Sequence, residues 1–396
     1  MKIKILLFGE RDSCQQVQRL LVQDDEFAVC GIVSDERLIL DEIDKSGAEM
    51  VMITDISTMT LRVCQQVYLL RPRTVPVALI ETRDSYDTAR IIQTGVHYIL
   101  TYDMEPLAFI SELKSIFHDE SNRFLALENS SATTSKSRVI SVFGAKDGLG
   151  KTTLAVNLAV ALASKQNKVV LLDYDLQFGD VATYMGQDPK NTILELLREQ
   201  GNPNADVIRQ FLTLHDSGVS FLPAPPSPEF AASVTVAQAE RIVAALRVYF
   251  DYVIIDCPTG FDNLSTACLD CASTILYVVG RDIPGLRDAK KSLSVLQALV
   301  QDEKLKIVIG KNTDTSARNI KDADILRVLG QSVWKTIPYD EKAAVLAANQ
   351  GRPVIVGDRQ SKLSHAINSV ANDLEGTAIV EKAEKKRART LGKKKG

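Results

Sequence analysis

The sequence is short of most features that would place it in a specialised class. It has six cysteines in 396 residues, too few for a disulfide framework in a chain of this length. It has one tryptophan and four histidines. His97, His118, His215 and His365 are too scattered to form a ligand cluster. No apolar run approaches the ~18 residues that a membrane span needs. The run in "MKIKILLFGERD" is too short for a secretory signal. These absences predict a reducing, cytoplasmic setting. Excess charge is also missing: the net charge is −3, which argues against a general nucleic-acid binder. No internal repeat is visible.

What remains is ordinary globular composition, with 45% hydrophobic and 24% charged residues. The length exceeds one ordinary core and predicts two domains. Charge is uneven only at the end, where "EKAEKKRARTLGKKKG" from Glu381 carries eight Lys/Arg against two Glu. That tail lacks the apolar stripe of a membrane-inserting helix. Its two readings are a disordered solubilising tail and a contact with anionic lipid or another partner.

The polar stretch "ENSSATTSKSR", without periodicity, reads as a linker between two α/β patterns. Before it, "IKILLF", "FAVCGIV", "EMVMIT", "PVALI" and "VHYIL" alternate with helical stretches such as "SYDTARIIQTG". This predicts a small parallel sheet covered on both faces. After it, strands are expected at "RVISVF", "KVVLLD", "VSFLPA", "YVIID", "TILYVV", "LKIVIG" and "SVWKTI". The expected fold class is α/β, two doubly wound parallel-sheet domains. The expected boundaries are 1–120 for the first domain, 121–137 for the linker, 138–376 for the second domain and 377–396 for the tail.

Between the strand "RVISVF" and the helix "KTTLAVNLAVALA" lies "GAKDGLGK", the context of a phosphate-binding loop. Gly148 and Gly150 let backbone N–H groups approach phosphate oxygens at a helix N-terminus, with Leu149 between them. Lys151 supplies charge for the terminal phosphates, and Thr152 a hydroxyl for Mg²⁺. Thr153 either caps the helix or donates to the inner phosphate. The loop departs from the strict pattern at Ala145. Two further strands end in acids, "KVVLLDYD" at Asp173 and Asp175, and "YDYVIID" at Asp256. Acids at strand carboxyl ends point into the ligand crevice of such folds, and Asp256 stands where a Mg²⁺-holding acid does.

"KDGLGKTTLAVNLA" resembles the deviant phosphate loop of the ParA/MinD group of ATPases. The resemblance implies a P-loop ATPase fold with ATP and Mg²⁺ as ligands. It gives Lys146 the role of a signature lysine that reaches the partner's phosphates across an ATP-sandwiched homodimer. It gives Asp175 the task of positioning the attacking water, and Asp173 that of supporting Mg²⁺ or the loop. Asp147 replaces a glycine of that pattern and puts an acid at an anion site. For the base, the family uses an Asn where this chain has Gly310. Asn312 or backbone groups are the candidates here, with Pro338 and Tyr339 of "TIPYD" beside them.

"LLDYDLQFGDVATYMGQDPKNTILELL" and the domain order are similar to TadZ/CpaE proteins of Tad/Flp (type IVb) pilus assembly. That resemblance implies a localisation ATPase with slow hydrolysis, and pilus proteins as partners at the cell pole or inner membrane. The alternatives are a ParA-like partition ATPase that binds DNA non-specifically, and a nucleotide-binding scaffold with little hydrolysis. Specific DNA binding is not expected. The first domain resembles a response-regulator receiver whose charged site is depleted. Gly9 and Glu10 stand at the metal-holding acids, Thr54 or Asp55 at the acceptor, Glu81 or Thr82 at the hydroxyl, and Thr101 at the lysine. A docking or dimerising role is expected in place of phosphorylation. Cys257, Cys268 and Cys271 lack a fourth zinc ligand and read as buried small hydrophobes.

Overall fold

The apolar runs of the first half are short and rich in Val and Ile, which suits strands covered on both faces. The structure is a computed structural model that describes residues 2–71, 73–81, 91, 94, 96, 98–128, 137–201, 203–300, 302–312 and 320–376. The runs form β1 (Ile3–Phe8), β2 (Phe27–Val33), β3 (Met50–Ile53), β4 (Val75–Ile80) and β5 (Tyr98–Thr101). Their order is β2-β1-β3-β4-β5, with every pair parallel. This is the flavodoxin-like doubly wound order. Side chains alternate between faces as the strand period requires. Leu6, Phe8, Val51 and Ile53 join one core, and Ile5, Leu7, Met50 and Met52 the other.

The helices of this half are α1 (Arg11–Leu21), α2 (Ile39–Ser46), α3 (Thr58–Leu70) and α4 (Pro106–Glu128). A capping box between Ser57 and Thr60 starts α3. The helix expected at "SYDTARIIQTG" falls mostly, and Thr82 wholly, outside the described residues. So do residues 129–136 of the expected linker and the tail 377–396. Residues 121–128 of the expected linker belong to α4.

At the end of β1, the positions expected for a receiver site pack against one another. Thr54 is buried, and its hydroxyl donates to the Phe8 carbonyl at 3.3 Å. Tyr102 Oη donates to the Thr54 carbonyl at 2.6 Å, and burial pushes the Tyr102 hydroxyl up to about 12. Asp55 Oδ1 accepts from Glu10 N at 3.3 Å. A Cβ at Gly9 would lie 2.3 Å from both Asp55 Oδ1 and Thr54 Oγ1. An acid at that position therefore has no room without rearrangement.

The second half supplies β6 (Arg138–Phe143), β7 (Val169–Asp173), β8 (Thr213–Leu214), β9 (Ser220–Leu222), β10 (Tyr252–Asp256), β11 (Thr274–Val279), β12 (Leu305–Asn312) and β13 (Val333–Pro338). The sheet order is β13-β12-β11-β6-β10-β7-β9-β8. Its pairs are parallel at β6/β11, β11/β12, β12/β13 and β7/β9. The short edge strand β8 runs antiparallel to β9, a feature without a signal in the sequence pattern.

The helices are α5 (Lys151–Ala163), α6 (Val181–Tyr184), α7 (Ile193–Glu199), α8 (Ala205–Phe211), α9 (Val236–Tyr249), α10 (Asn263–Asp270), α11 (Ile283–Leu299), α12 (Asp322–Leu329), α13 (Glu341–Gln350) and α14 (Val354–Gly357). A last helical stretch covers residues 362–376. Starts follow local chemistry: Asp282 accepts from Gly285 N at 2.7 Å with Pro284 in the first turn of α11. Helix α5 is apolar nearly all round, as a buried helix must be.

By packing, the chain divides into two compact units. One is Met1–Val139, Ala163–Gly179 and Pro189–Ile254, and the other Ile140–Leu162, Asp180–Asp188 and Ile255–Gly396. The first unit contains a buried polar and aromatic cluster. Glu120 of α4 pairs with Lys168 at 2.8 Å, the two side chains 5% and 13% exposed. Tyr98 Oη donates to Glu120 Oε1 at 2.5 Å, and Lys168 Nζ stands 4.6 Å from the Tyr98 ring centre. The Arg209 guanidinium lies between the Tyr68 and Tyr249 rings, at 4.7 and 4.5 Å.

Candidate nucleotide-binding site

Residues 144–150 join β6 to α5, and the backbone there is left-handed at Gly148 (φ 76°) and Gly150 (φ 88°). An L side chain pays roughly 1–2 kcal/mol for that conformation, so glycine is required at both positions. The turn delivers Lys151 at the first helical position with only 7% of its surface exposed. Its Nζ donates to Thr259 Oγ1 at 2.5 Å, to Asp147 Oδ1 at 3.2 Å and to the Lys146 carbonyl at 3.5 Å. The Thr259 hydroxyl also donates to Asp147 Oδ1. That hydrogen bond, and the Lys151 charge after it, hold the Asp147 carboxyl below the usual carboxylate range.

Thr152 Oγ1 donates to Asp256 Oδ2 at 2.6 Å. Asp256 ends β10 and is 1% exposed. Lys146 Nζ pairs with Asp288 Oδ2 of α11 at 2.6 Å, with both side chains part-exposed. The Lys146 hydrogen bond holds Asp288 below its ordinary value. Asn157 is buried in α5. It donates to the Thr153 carbonyl at 2.8 Å and accepts from Ile355 N at 3.0 Å, which ties α5 to α14.

A cleft opens beside the loop, lined among others by Leu149, Gly150, Thr153, Lys311, Pro338 and Tyr339. Gly310 is explained here: a Cβ would lie 2.4 Å from the Leu149 carbonyl oxygen and 2.7 Å from Val278 Cγ1. Backbone of the phosphate loop therefore occupies the space that a side chain at 310 would need. Gly310→Asn is expected to lower stability by about 1–3 kcal/mol through this overpacking, measured by urea unfolding.

The structure thus joins Lys151, Asp147, Thr259 and the Lys146 carbonyl in one hydrogen-bonded group, pairs Thr152 with Asp256, and holds the Lys146 ammonium on Asp288. It places Leu149, Gly150, Thr153 and Pro338 along the cleft. Asn312 is not a lining residue: its carbonyl accepts from Tyr339 N at 2.7 Å, and its amide oxygen is buried without a partner among the described residues. Asp173 is buried at the end of β7. Asp175 Oδ1 accepts from Phe178 N at 3.4 Å. Both acids belong to the first packing unit.

Sequence reasoning missed Thr259, Asp288, Lys311 and Asp340. Asp340 also lines the cleft and accepts from Ala343 N at the start of α13. Thr259 had a signal, since it follows the acid-ended strand β10 in "DCPTG". Asp288 had none, since it is an ordinary acid on an amphipathic helix.

For a metal, the paired Thr152 hydroxyl and Asp256 carboxylate are hard oxygen donors that suit Mg²⁺. No group of three or more His, Cys, Asp or Glu side chains that could hold a metal is present among the described residues. No helix among the described residues is long and apolar enough to cross a membrane.

A family model described as an AAA domain matches residues 137–309. The septum site-determining protein MinD of Synechocystis sp. is 27% identical over 248 residues, covering 61% of this chain and 91% of that protein. The MinD of Bacillus subtilis is 26% identical over 251 residues, covering 61% and 90%. Among solved structures, the cell division ATPase MinD of Pyrococcus furiosus matches at TM-score 0.54 and 26% identity, covering 61% of this chain and 99% of that one. A ParA family ATPase from Chlorobium tepidum shares the fold at TM-score 0.55 and 23% identity, covering 59% and 98%. With the phosphate loop and the parallel sheet already described, these matches make the second half of the chain similar to P-loop ATPases of the ParA/MinD group.

Proposed function

We propose that this protein is an ATP-dependent dimerising switch with slow, Mg²⁺-dependent hydrolysis, acting in the localisation or assembly of a Tad/Flp-type pilus. The observation that carries the switch is Lys151, nearly buried at the end of a glycine turn that also carries Lys146, with the Thr152–Asp256 pair at the start of the helix that follows. Lys151 binds the terminal phosphates, and the loop N–H groups orient them. Thr152 and Asp256 would hold Mg²⁺, which when bound neutralises phosphate charge. Asp175 would position the attacking water, and Asp173 would support Mg²⁺ or the loop. The base lies in the cleft beside Lys311, Pro338 and Tyr339, with Asn312 within the same strand end.

Lys146 has two uses in this reading. In the single chain it is held by Asp288. In the dimer it is released to the partner's phosphates, where a second cation stabilises the transferring phosphoryl group. Asp288→Asn is therefore expected to raise ATP-dependent dimerisation several-fold, and Lys146→Ala to reduce it, as read by light scattering at a series of protein concentrations. An Asp288→Asn chain that dimerises less than the wild type would remove this use of the ion pair.

The pilus assignment is supported by the similarity of residues 171–197 to TadZ/CpaE proteins and by the α/β module that precedes the P-loop domain. That module, with its site filled by Thr54 and Tyr102, serves as a docking or dimerising domain. The deciding measurement is molecular mass and phosphate release with and without Mg-ATP for the wild type, Lys146→Ala and Lys151→Ala. A wild-type chain that neither binds ATP nor changes mass would sink the switch. ATP-dependent, salt-sensitive binding of random duplex DNA would favour the partition reading instead.

A further inference from the structure

We infer that Asp147, with Thr259, is a built-in competitor for the phosphate-binding lysine, so that ATP must displace an internal carboxylate before it can engage Lys151. The inference rests on the nucleotide-binding reading above and goes beyond it by giving the affinity a regulator within the chain.

Lys151 is nearly buried, and each oxygen that its ammonium reaches comes from Asp147, Thr259 or the Lys146 carbonyl. The Asp147 carboxylate meets Lys151 through one oxygen, and the same oxygen accepts the Thr259 hydroxyl. Lys151, Thr259 and Asp147 thus close a three-membered ring of hydrogen bonds. A carboxylate oxygen on an ammonium is the same type of contact that a phosphate oxygen makes there. Only the number of negative charges differs.

The geometry makes Asp147 displaceable. Its side chain is 81% exposed while that of Lys151 is 8% exposed, so the acid can swing into solvent and the lysine cannot follow. A mostly exposed acid gains little from its pair because water screens it. A bound triphosphate with several charges and the loop N–H groups therefore wins, at reduced apparent affinity.

Thr259 extends the consequence. It lies three residues beyond Asp256, in the segment that follows β10, and its hydroxyl bridges the acid and the lysine. When Asp147 leaves, Thr259 loses one of these two partners. Displacement of the acid is therefore coupled to the segment carrying Asp256 and Thr259, which the single loop substitution of acid for glycine makes possible.

The test is equilibrium binding of a fluorescent ATP analogue with Mg²⁺ to the full chain and to Asp147→Asn, Asp147→Gly, Thr259→Val and Lys151→Ala. Removing the charge in Asp147→Asn is expected to tighten binding about threefold, the size of an ion pair weakened by solvent exposure. Asp147→Gly is expected to do the same, and Thr259→Val to tighten binding by less. Because Asp147 is exposed, these variants are expected to fold, and circular dichroism with urea unfolding confirms it. Unchanged or weaker binding by both Asp147 variants, with Lys151→Ala inactive, overturns the competitor and leaves nucleotide binding intact. No binding by the wild type or by either Asp147 variant overturns the nucleotide reading and the competitor with it.

Discussion

Lys151→Ala is expected to lower ATP affinity by about 100-fold or more, the largest functional effect of any single change in the chain. The figure follows from losing two charge-assisted contacts to the terminal phosphates at about 1.5–3 kcal/mol each. Stability is expected to change by less than about 1 kcal/mol, because the partners left behind, Asp147 and Thr259, are at the surface and can be hydrated. Titration calorimetry with Mg-ATP, paired with urea unfolding, separates the two effects. Lys151→Arg is expected to recover little. The planar guanidinium does not fit a nearly buried ammonium site that three oxygens already surround. Binding by Lys151→Ala within threefold of the wild type would falsify the assignment of this lysine to phosphate.

The second large effect concerns stability. Lys168→Met is expected to cost about 3–5 kcal/mol, because it removes the cation that pairs with the buried Glu120 carboxylate at 2.8 Å. Tyr98 still donates to Glu120, but a neutral hydroxyl does not replace the charge of Lys168. The double variant Glu120→Gln/Lys168→Met is expected to regain most of that loss. A glutamine oxygen still accepts from Tyr98, and a methionine fills the volume of the lysine stem over the Tyr98 ring. Urea unfolding of the two single variants and the double closes a thermodynamic cycle, and the coupling energy is the measurement of interest. A cost below about 1 kcal/mol for Lys168→Met would show that water reaches the pair. The ion pair joins α4, just before the expected linker, to the residue preceding β7, so its loss is expected to lower cooperativity as well as stability.

The strand positions were legible because parallel strands covered on both faces read as continuous apolar runs, and each such run of the first half became a strand. The loop was legible because Gly148, Gly150 and Lys151 lie within four consecutive positions, and local backbone geometry alone demands glycine there. Asp256 was legible because it ends an apolar run, which places it at a strand's carboxyl end without knowledge of the rest. β8 was not legible: two residues carry no periodicity, and its antiparallel pairing is made only by the turn that returns to β9.

The partners of the two loop lysines were equally hidden. Asp288 lies 142 residues from Lys146 in the chain, and nothing in the spacing of α11 marks it. Gly310 looked like a lost base-recognition residue. It is a steric requirement set by the Leu149 carbonyl of a different element. Asp147 looked like an acid out of place, and only the folded loop shows its carboxylate on Lys151 and Thr259.

The sequence by itself therefore determined the α/β class, the glycine turn, the place of Lys151 at the head of its helix and the acids that end their strands. Each of these depends on residues within one turn or one strand, where period and backbone sterics act locally. The tertiary structure alone decided which cation meets which anion, which side chains crowd Gly9, and why position 310 has no side chain. Those outcomes depend on distances between elements far apart in sequence, and no local pattern encodes them.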